Sequence, residues 1–177
     1  MDYEIRKAVL ADREAIEELI AESARGLSRA DYSESQIEAA LGTVFGVDTD
    51  LILDGTYFVA ETNKVLIGCG GWSQRKTLFG GDRFGHRDSR RLDPKVEAAK
   101  IRAFFVHSKF ARRGIARKLL AVCEAEAKNA GFHALELMAT LPGVKFYQAC
   151  GYQPDEMVEH EIQGLKIQFV PMKKILT

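Results

Sequence analysis

The stretch that decides the fold is Ile101–Arg117, which reads IRAFFVHSKFARRGIAR. Its first six residues are mostly apolar and rich in strand-forming types, which favours a buried β-strand. After a short polar run, Gly114 precedes the apolar positions Ile115, Leu119 and Cys123, which recur at helical spacing. The pattern predicts a strand that passes through a short turn into a helix.

The start of this helix is a candidate anion site. First-turn amides have no partner within a helix, and together with the helix dipole they attract negative charge. Gly114 allows close approach to the backbone, while Arg112, Arg113 and Arg117 add positive charge. A pyrophosphate fits these features. Taken alone, the segment is equally typical of a basic helix start with a packing glycine.

Outward from this unit, strand and helix patterns alternate and predict a single α/β domain over residues 1–177 with a mixed sheet. Residues 73–94 show no periodicity and predict a long loop, of a kind that is usually functional or mobile. The remaining predicted elements are a strand over 4–9, helices after Asp12 and from Ser33, a hairpin of 57–61 and 65–72, a strand over 98–106, a helix ending before Gly131, a strand over 133–138, a helix over 141–149, and a hairpin of 159–163 and 166–172.

Composition excludes several classes of protein. The 177 residues carry 25 basic and 25 acidic side chains, which argues against a globally basic nucleic-acid binder. No apolar run approaches the roughly 18 residues of a membrane span, and the charged first ten residues are unlike a signal peptide. The three cysteines are widely spaced, without a CxxC pair. We therefore expect a cytoplasmic protein that acts on neither membranes nor nucleic acids.

The zero net charge hides a segregation along the chain. Residues 1–61 hold 14 acidic and 5 basic side chains, whereas residues 83–118 hold 12 basic and 3 acidic ones. These can be solvated faces, or one end of the molecule can face an anion while the other faces cations. The second interpretation predicts an acceptor with positive charge.

Two motifs carry a resemblance to a known family. Residues 111–116, ARRGIA, resemble the acetyl-CoA loop of the GNAT superfamily of N-acetyltransferases, whose pattern is Q/R-x-x-G-x-G/A. Gly114 and Ala116 match, whereas Ala111 departs from the first position. Residues 146–152, FYQACGY, resemble the F-Y-x-x-x-G-F/Y signature of the same family. The resemblance implies one domain with a GNAT-like mixed central sheet flanked by about four helices.

The resemblance also implies a function and a set of residues. The chain would be an acyltransferase that moves the acetyl group of acetyl-CoA to a small-molecule or peptide amine by direct attack in a ternary complex. Tyr147 would be the general acid on the CoA thiolate, or else a packing residue whose hydroxyl only hydrogen-bonds CoA. The implied cofactor-binding residues, with the strand backbone pairing with pantetheine, are Phe104, Phe105, Val106, Arg112, Arg113, Gly114, Ile115, Ala116 and Arg117.

The general base and the acceptor contacts are left open. Glu136 is the candidate base, although strand alternation places it on the face opposite Tyr147. The rivals are Glu22, Glu97, His107 and proton loss through water. Trp72 and Glu22 are candidates for substrate contact, with a core position as the alternative for Trp72.

Further expectations concern metals and competing functions. The histidines His86, His133 and His160 lack partners at ligand spacing, so we expect no metal. One alternative function is a catalytically weak, CoA-binding regulatory module of the same fold. Another is a nucleic-acid-binding module that uses the basic stretch 83–117. A homodimer is a further possibility.

Overall fold

Eight strands and five helices make up the fold in the computed structural model, which describes residues 1–85 and 87–177. The strands are β1 (Glu4–Lys7), β2 (Tyr57–Thr62), β3 (Val65–Ser73), β4 (Ala99–Val106), β5 (Ala134–Thr140), β6 (Gln153–Pro154), β7 (Val158–Ile162) and β8 (Leu165–Ile175). The helices are α1 (Arg13–Leu27), α2 (Glu34–Leu41), α3 (Thr49–Leu53), α4 (Ile115–Asn129) and α5 (Val144–Ala149).

The strands form one mixed sheet in the order β1-β2-β3-β4-β5-β8-β6, with β7 paired to β8. Among the strands in the described residues, only β4 and β5 run parallel, because α4 connects them, and the other pairs are antiparallel. Asn63 and Lys64 both adopt positive φ in the turn between β2 and β3, as tight hairpin turns require. The predicted α/β domain with a mixed sheet is confirmed.

The helices cover the two faces of the sheet and form two hydrophobic cores. Ile16 and Ile20 of α1 pack with Ile37 of α2 against one face. On the other face, Leu119 and Cys123 of α4 join the side chains of α5 and the inward residues of β5. The two faces therefore differ in which helices build them, and the functional cavity described below lies between the two layers.

An irregularity in β4 opens the sheet at its centre. Ala103 has φ 53°, and the pairing with β3 shifts register between Cys69 and Gly71. The Tyr57 hydroxyl donates to the Ala103 carbonyl at 3.3 Å and holds this bulge. In the described part of the chain, β4 and β5 pair only at Ala99↔Leu135 and Lys100↔Glu136. Beyond these pairs a wedge separates the two strands.

Most predicted elements are confirmed, and their local cause is visible. The Ser33 hydroxyl accepts from the Gln36 amide at 3.1 Å, and the Gln36 side chain accepts from the Ser33 amide at 2.8 Å. Gly131 takes φ 93° just beyond α4, as a helix-terminating glycine does. The short helix α3 was not predicted, because its five residues are too few for helical periodicity to show.

Two further observations bear on the predicted class of protein. None of the helices in residues 1–85 and 87–177 has the length and apolarity needed to cross a bilayer. The same residues contain no group of three or more His, Cys, Asp and Glu side chains that could hold a metal ion. His86, one of the histidines considered above, lies outside the described residues.

Candidate active site

A cavity of about 830 Å³ occupies the wedge between β4 and β5 and extends to both faces of the sheet. It has two halves that differ in chemistry. The α4 half is lined by Phe104, Val106, 110–112, 114–117, 142–143 and 145–147. The α1 half is lined by Ser23, Ala24, Leu27, Ser28, 30–31, 44–46, 78–80, Ala103, Phe105, Met138, Leu141 and Phe169. Four further residues, Ile101, Arg102, Leu137 and Thr140, line the cavity where the two halves meet.

The α4 half contains a row of free backbone donors. Within the described residues, the six consecutive amides from Arg112 to Arg117 donate to no acceptor, and intrahelical bonding resumes at Lys118. Arg112 and Gly114 take positive φ, 64° and 81°, which is the alternation that forms an anion-binding nest. A Cβ on Gly114 would meet nothing within 4 Å, so the nest is open to a ligand. The predicted anion site is thus present as geometry.

Positive side chains surround this nest. Arg112, Arg117 and Lys145 line the cavity, and none has an acidic partner among the residues that the structure describes. Arg113 departs from the prediction, because its side chain does not line the cavity and its guanidinium lies 5.5 Å from the centre of the Phe110 ring. Arg113 can therefore contribute its amide to the nest, while its charge lies to the side.

Tyr147 is placed in the α4 half by the short helix α5. Its ring packs edge-on against Phe104, with 6.5 Å between ring centres, and against Tyr152, at 5.6 Å. Its hydroxyl makes no hydrogen bond within the described part of the chain. Burial, with a smaller contribution from the neighbouring Cys123 and Cys150, raises the pKa of Tyr147 above its ordinary value of 10. The hydroxyl therefore keeps its proton at neutral pH and has it available to donate.

The end of β4 contributes to both halves. Phe104 and Val106 face α4, whereas Phe105 faces α1 and packs edge-on against Phe45, with ring centres 5.6 Å apart. The Val106 amide donates to the Ser23 hydroxyl at 3.2 Å. A ligand that pairs with this amide therefore has to replace Ser23 as its acceptor.

The structure argues against Glu136 as the base. Glu136 does not line the cavity, and its carboxylate lies 2.6 Å from the Lys100 ammonium and 3.3 Å from that of Lys173. Burial alone would raise the pKa of Glu136, but the hydrogen bond and charge of Lys100, aided by Lys173, hold the pKa below its usual value. Leu135 and Leu137 share the core with Tyr147, so the expected opposite-face placement of Glu136 is also seen. It is a structural ion-pair partner.

The rival bases also lie outside the cavity lining. Glu22 accepts from the Ser108 amide at 2.9 Å and from the Ser108 hydroxyl, and lies 3.2 Å from His107 Nδ1. Glu97 accepts from the Asp93 amide at 2.8 Å. Glu22 thus stabilises the turn after β4, which is a correction to its expected contact with the acceptor.

Trp72 is a core residue. Only 4% of its surface is exposed, its ring packs edge-on against Phe132, and its indole N–H donates to Glu126 at 3.1 Å. It does not line the cavity. The structure therefore contradicts the expected role in acceptor binding and supports the alternative of a core position.

Two bases of the central stretch, Arg87 and Arg102, pair with acids from the first third of the chain. Arg102 is buried and donates to Asp48 at 2.6 Å, and Arg87 donates to the other Asp48 oxygen at 2.8 Å. Arg87 also donates to Asp50 at 3.1 Å. Asp48 and Asp50 thus neutralise Arg87 and Arg102, and these contacts fix the loop after β3. This pairing weakens the expectation that the acidic segment attracts a cationic acceptor.

Several lining residues were not identified from the sequence. Phe45, Phe79 and Phe169 come from three separate segments, and no local pattern unites them. Lys145 is different, because it directly precedes the Phe146–Tyr147 motif and faces the same cavity. Its charge beside a suspected phosphate site is a clue that the sequence contained.

The nest, the buried tyrosine and the split between two parallel strands are the features expected of an α/β transferase that uses an anionic acyl carrier. The model of the acetyltransferase (GNAT) family matches residues 14–152, which is more than half of the chain. The chain therefore belongs to this family, and the predicted enzyme class, an acetyl-CoA-dependent N-acetyltransferase, is confirmed at the level of the family. No curated protein matches the chain significantly.

Solved structures share the fold over the whole chain. A GCN5-related N-acetyltransferase from Rhodopseudomonas palustris has a TM-score of 0.73 at 18% identity, with 99% of this chain and 97% of that one covered. The PaiA N-acetyltransferase of Thermoplasma acidophilum, in complex with coenzyme A, has a TM-score of 0.64 at 18% identity, with coverage of 99% and 100%. YncA of Salmonella typhimurium, a putative acetyltransferase with its cofactor acetyl-CoA, has a TM-score of 0.64 at 18% identity, with 100% of this chain and 95% of that one covered. The predicted GNAT-like fold is confirmed.

Proposed function

We propose that this chain binds acetyl-CoA in the α4 half of the cavity and transfers the acetyl group to a primary amine held in the α1 half. The observation that carries the proposal is the row of six unpartnered amides beside Arg112, Arg117 and Lys145. Backbone donors and unpaired cations together match the charge of a pyrophosphate. The structures of PaiA with coenzyme A and of YncA with acetyl-CoA support the choice of carrier.

The residues of the α4 half divide the task of binding. The amides from Arg112 to Arg117 would hold the pyrophosphate, and Arg112 and Arg117 would add charge from the rim. The strand end Phe104–Val106 would run beside the pantetheine arm, with the Val106 amide available to a carbonyl once Ser23 is displaced. Bound acetyl-CoA supplies a thioester, which is an acyl group activated towards a nitrogen nucleophile.

Tyr147 would then be the general acid. Transfer forms a bond between the amine nitrogen and the acetyl carbon, breaks the carbon–sulfur bond and leaves a thiolate that needs a proton. The Tyr147 hydroxyl is supported for this role because burial keeps it protonated and no acceptor in the described residues engages it. The alternative, a hydroxyl that only hydrogen-bonds CoA, predicts little effect of its removal on the maximal rate.

Proton loss from the amine is proposed to occur through water. None of Glu22, Glu97, His107 and Glu136 lines the cavity, whereas Asp31 is the one carboxylate among its described lining residues. Asp31 is exposed and lies at the α1 half, where it can receive a proton through water or attract an ammonium group. A cytoplasmic location and the absence of a metal stay predictions; the unpaired Cys69, Cys123 and Cys150 support a reducing compartment.

The test is binding and turnover measured on one preparation. Titration calorimetry with acetyl-CoA should show binding, and incubation with primary amines should release the free thiol of CoA. A regulatory module would bind acetyl-CoA yet release no thiol above the hydrolysis background with any amine. Failure to bind acetyl-CoA would contradict the proposal altogether.

A further inference from the structure

We infer that the acceptor is a primary amine with an apolar, preferably aromatic, body and no second charge. This inference rests on the proposed function and names the substrate class of the α1 half of the cavity. It differs from the cationic acceptor that the charge pattern of the sequence suggested.

The wall of the α1 half is apolar over most of its extent. Four aromatic rings line it: Phe45 and Phe105, which pack edge-on, and Phe79 and Phe169, whose ring centres lie 5.7 Å apart. Leu27, Val44, Leu78 and Met138 add further apolar side chains. Such a surface favours binding of an apolar body, because burial removes apolar area from water. It disfavours a polar body, which would lose its water without gaining hydrogen bonds.

Several polar groups beside this half are already engaged in hydrogen bonds within the fold. The Tyr32 hydroxyl, next to the cavity, donates to the Gln168 carbonyl at 2.6 Å and accepts from the Leu141 amide at 2.9 Å. The Gly80 carbonyl accepts from Arg102 at 2.6 Å and from Arg87 at 3.1 Å. Among the described lining residues, Ser28, Asp31 and Thr140 have side chains without a hydrogen bond, and Asp31 alone of the three is charged. They suit a single amino group.

Hydrogen bonds from Arg102, which is itself anchored by Asp48, hold the aromatic wall in place. Phe79 lies in the loop after β3, where Arg102 binds the carbonyls on either side of it, Thr77 at 2.9 Å and Gly80 at 2.6 Å. Arg102 is anchored in turn by buried Asp48. Phe79 is therefore a fixed part of the wall, and its ring adds contact area at low entropic cost when a ligand binds.

Bonds and protons balance when an amine of this class is acetylated. The neutral amine attacks the thioester carbon, a nitrogen–carbon bond forms and the carbon–sulfur bond breaks. One proton leaves the nitrogen to water, and Tyr147 gives one to the sulfur and regains it from solvent. The products are an N-acetylated apolar amine and free CoA thiol.

The experiment compares kcat/KM across primary amines of similar basicity by thiol release. From ethylamine to butylamine to 2-phenylethylamine, kcat/KM should rise about fourfold for each methylene that becomes buried. The rise to 2-phenylethylamine should therefore reach about 100-fold or more, and spermidine and ethanolamine should resemble ethylamine. A preference for spermidine or ethanolamine would overturn the inference while leaving the transferase proposal intact. Acetyl-CoA binding without thiol release for any amine would contradict both.

A pair of variants locates the selectivity. Phe79→Ala should lower the ratio of kcat/KM for 2-phenylethylamine over ethylamine by about tenfold, since it removes one ring from the α1 half. Phe110→Ala removes a ring from the α4 half, so it should affect both amines alike and leave the ratio unchanged. A loss of folded protein lowers both values of kcat/KM by the same factor, so it cannot produce the expected fall in their ratio. An unchanged ratio in Phe79→Ala would therefore refute the assignment of the acceptor body to this wall.

Discussion

Replacing the glycines at the two ends of α4 separates binding from stability. Gly114 and Gly131 both have positive φ, 81° and 93°, and a Cβ fits at each. A Cβ added to Gly114 would meet nothing within 4 Å, and one added to Gly131 would lie 3.7 Å from Pro94 Cβ. Any other residue in this left-handed region costs about 1–2 kcal/mol. Gly114→Glu and Gly131→Glu should thus each lower the melting temperature by roughly 2–8 °C for a chain of this size.

Only the change at Gly114 should affect acetyl-CoA. A glutamate there places a negative side chain beside the amides from Arg112 to Arg117, where the pyrophosphate is proposed to lie. Loss of two charge-assisted hydrogen bonds, at about 1.5–3 kcal/mol each, weakens binding by about 100-fold or more. Calorimetric titration of both variants and the wild type below their melting temperatures measures this. Equal affinities in the two variants would refute the placement of the carrier at the nest.

Two further variants test the acid and the buried ion pair. Tyr147→Phe should lower kcat by about 10²-fold or more with little change in melting temperature. The raised pKa of Tyr147 predicts that the wild type keeps this proton donor up to at least about pH 10. An unchanged kcat, measured where the chemical step limits the rate, would return Tyr147 to a packing role. Asp48→Asn leaves two arginines without their buried partner and should reduce the free energy of unfolding by about 3–5 kcal/mol in urea titration. Asp88→Asn, which removes an exposed pair with Arg90, serves as the control and should change little, and similar losses in both would contradict the importance of burial.

The sequence predicted best what is determined locally. The capping box of Ser33 and the terminating Gly131 involve neighbours in the chain, so the residue types alone indicate them. The nest at Arg112–Arg117 is also local, since it consists of the backbone of one turn and the first residues of one helix. For this reason the α4 half of the cavity could be predicted before the acceptor side.

The acceptor side could not be predicted in the same way. Its wall combines Phe45, Phe79, Phe105 and Phe169, which become neighbours only when the two layers of the fold come together. The charge pattern along the sequence also left out two pairings that form only in the fold. Asp48 is distant from Arg87 and Arg102 in the sequence, so a count along the chain cannot show that these charges neutralise each other inside the fold.

The bulge at Ala103 shows why the two halves share one cavity. Strict alternation from Ile101 would place Ala103 and Phe105 on its face and Phe104 and Val106 on the other. Because β4 carries an extra residue, Ile101, Phe104 and Val106 face α4 instead, and Phe105 faces α1. The left-handed Ala103 costs about 1–2 kcal/mol, and a hydrogen bond from the Tyr57 hydroxyl offsets part of this cost. The strain is retained where one strand presents aromatic rings to both layers and separates from β5 along the cavity.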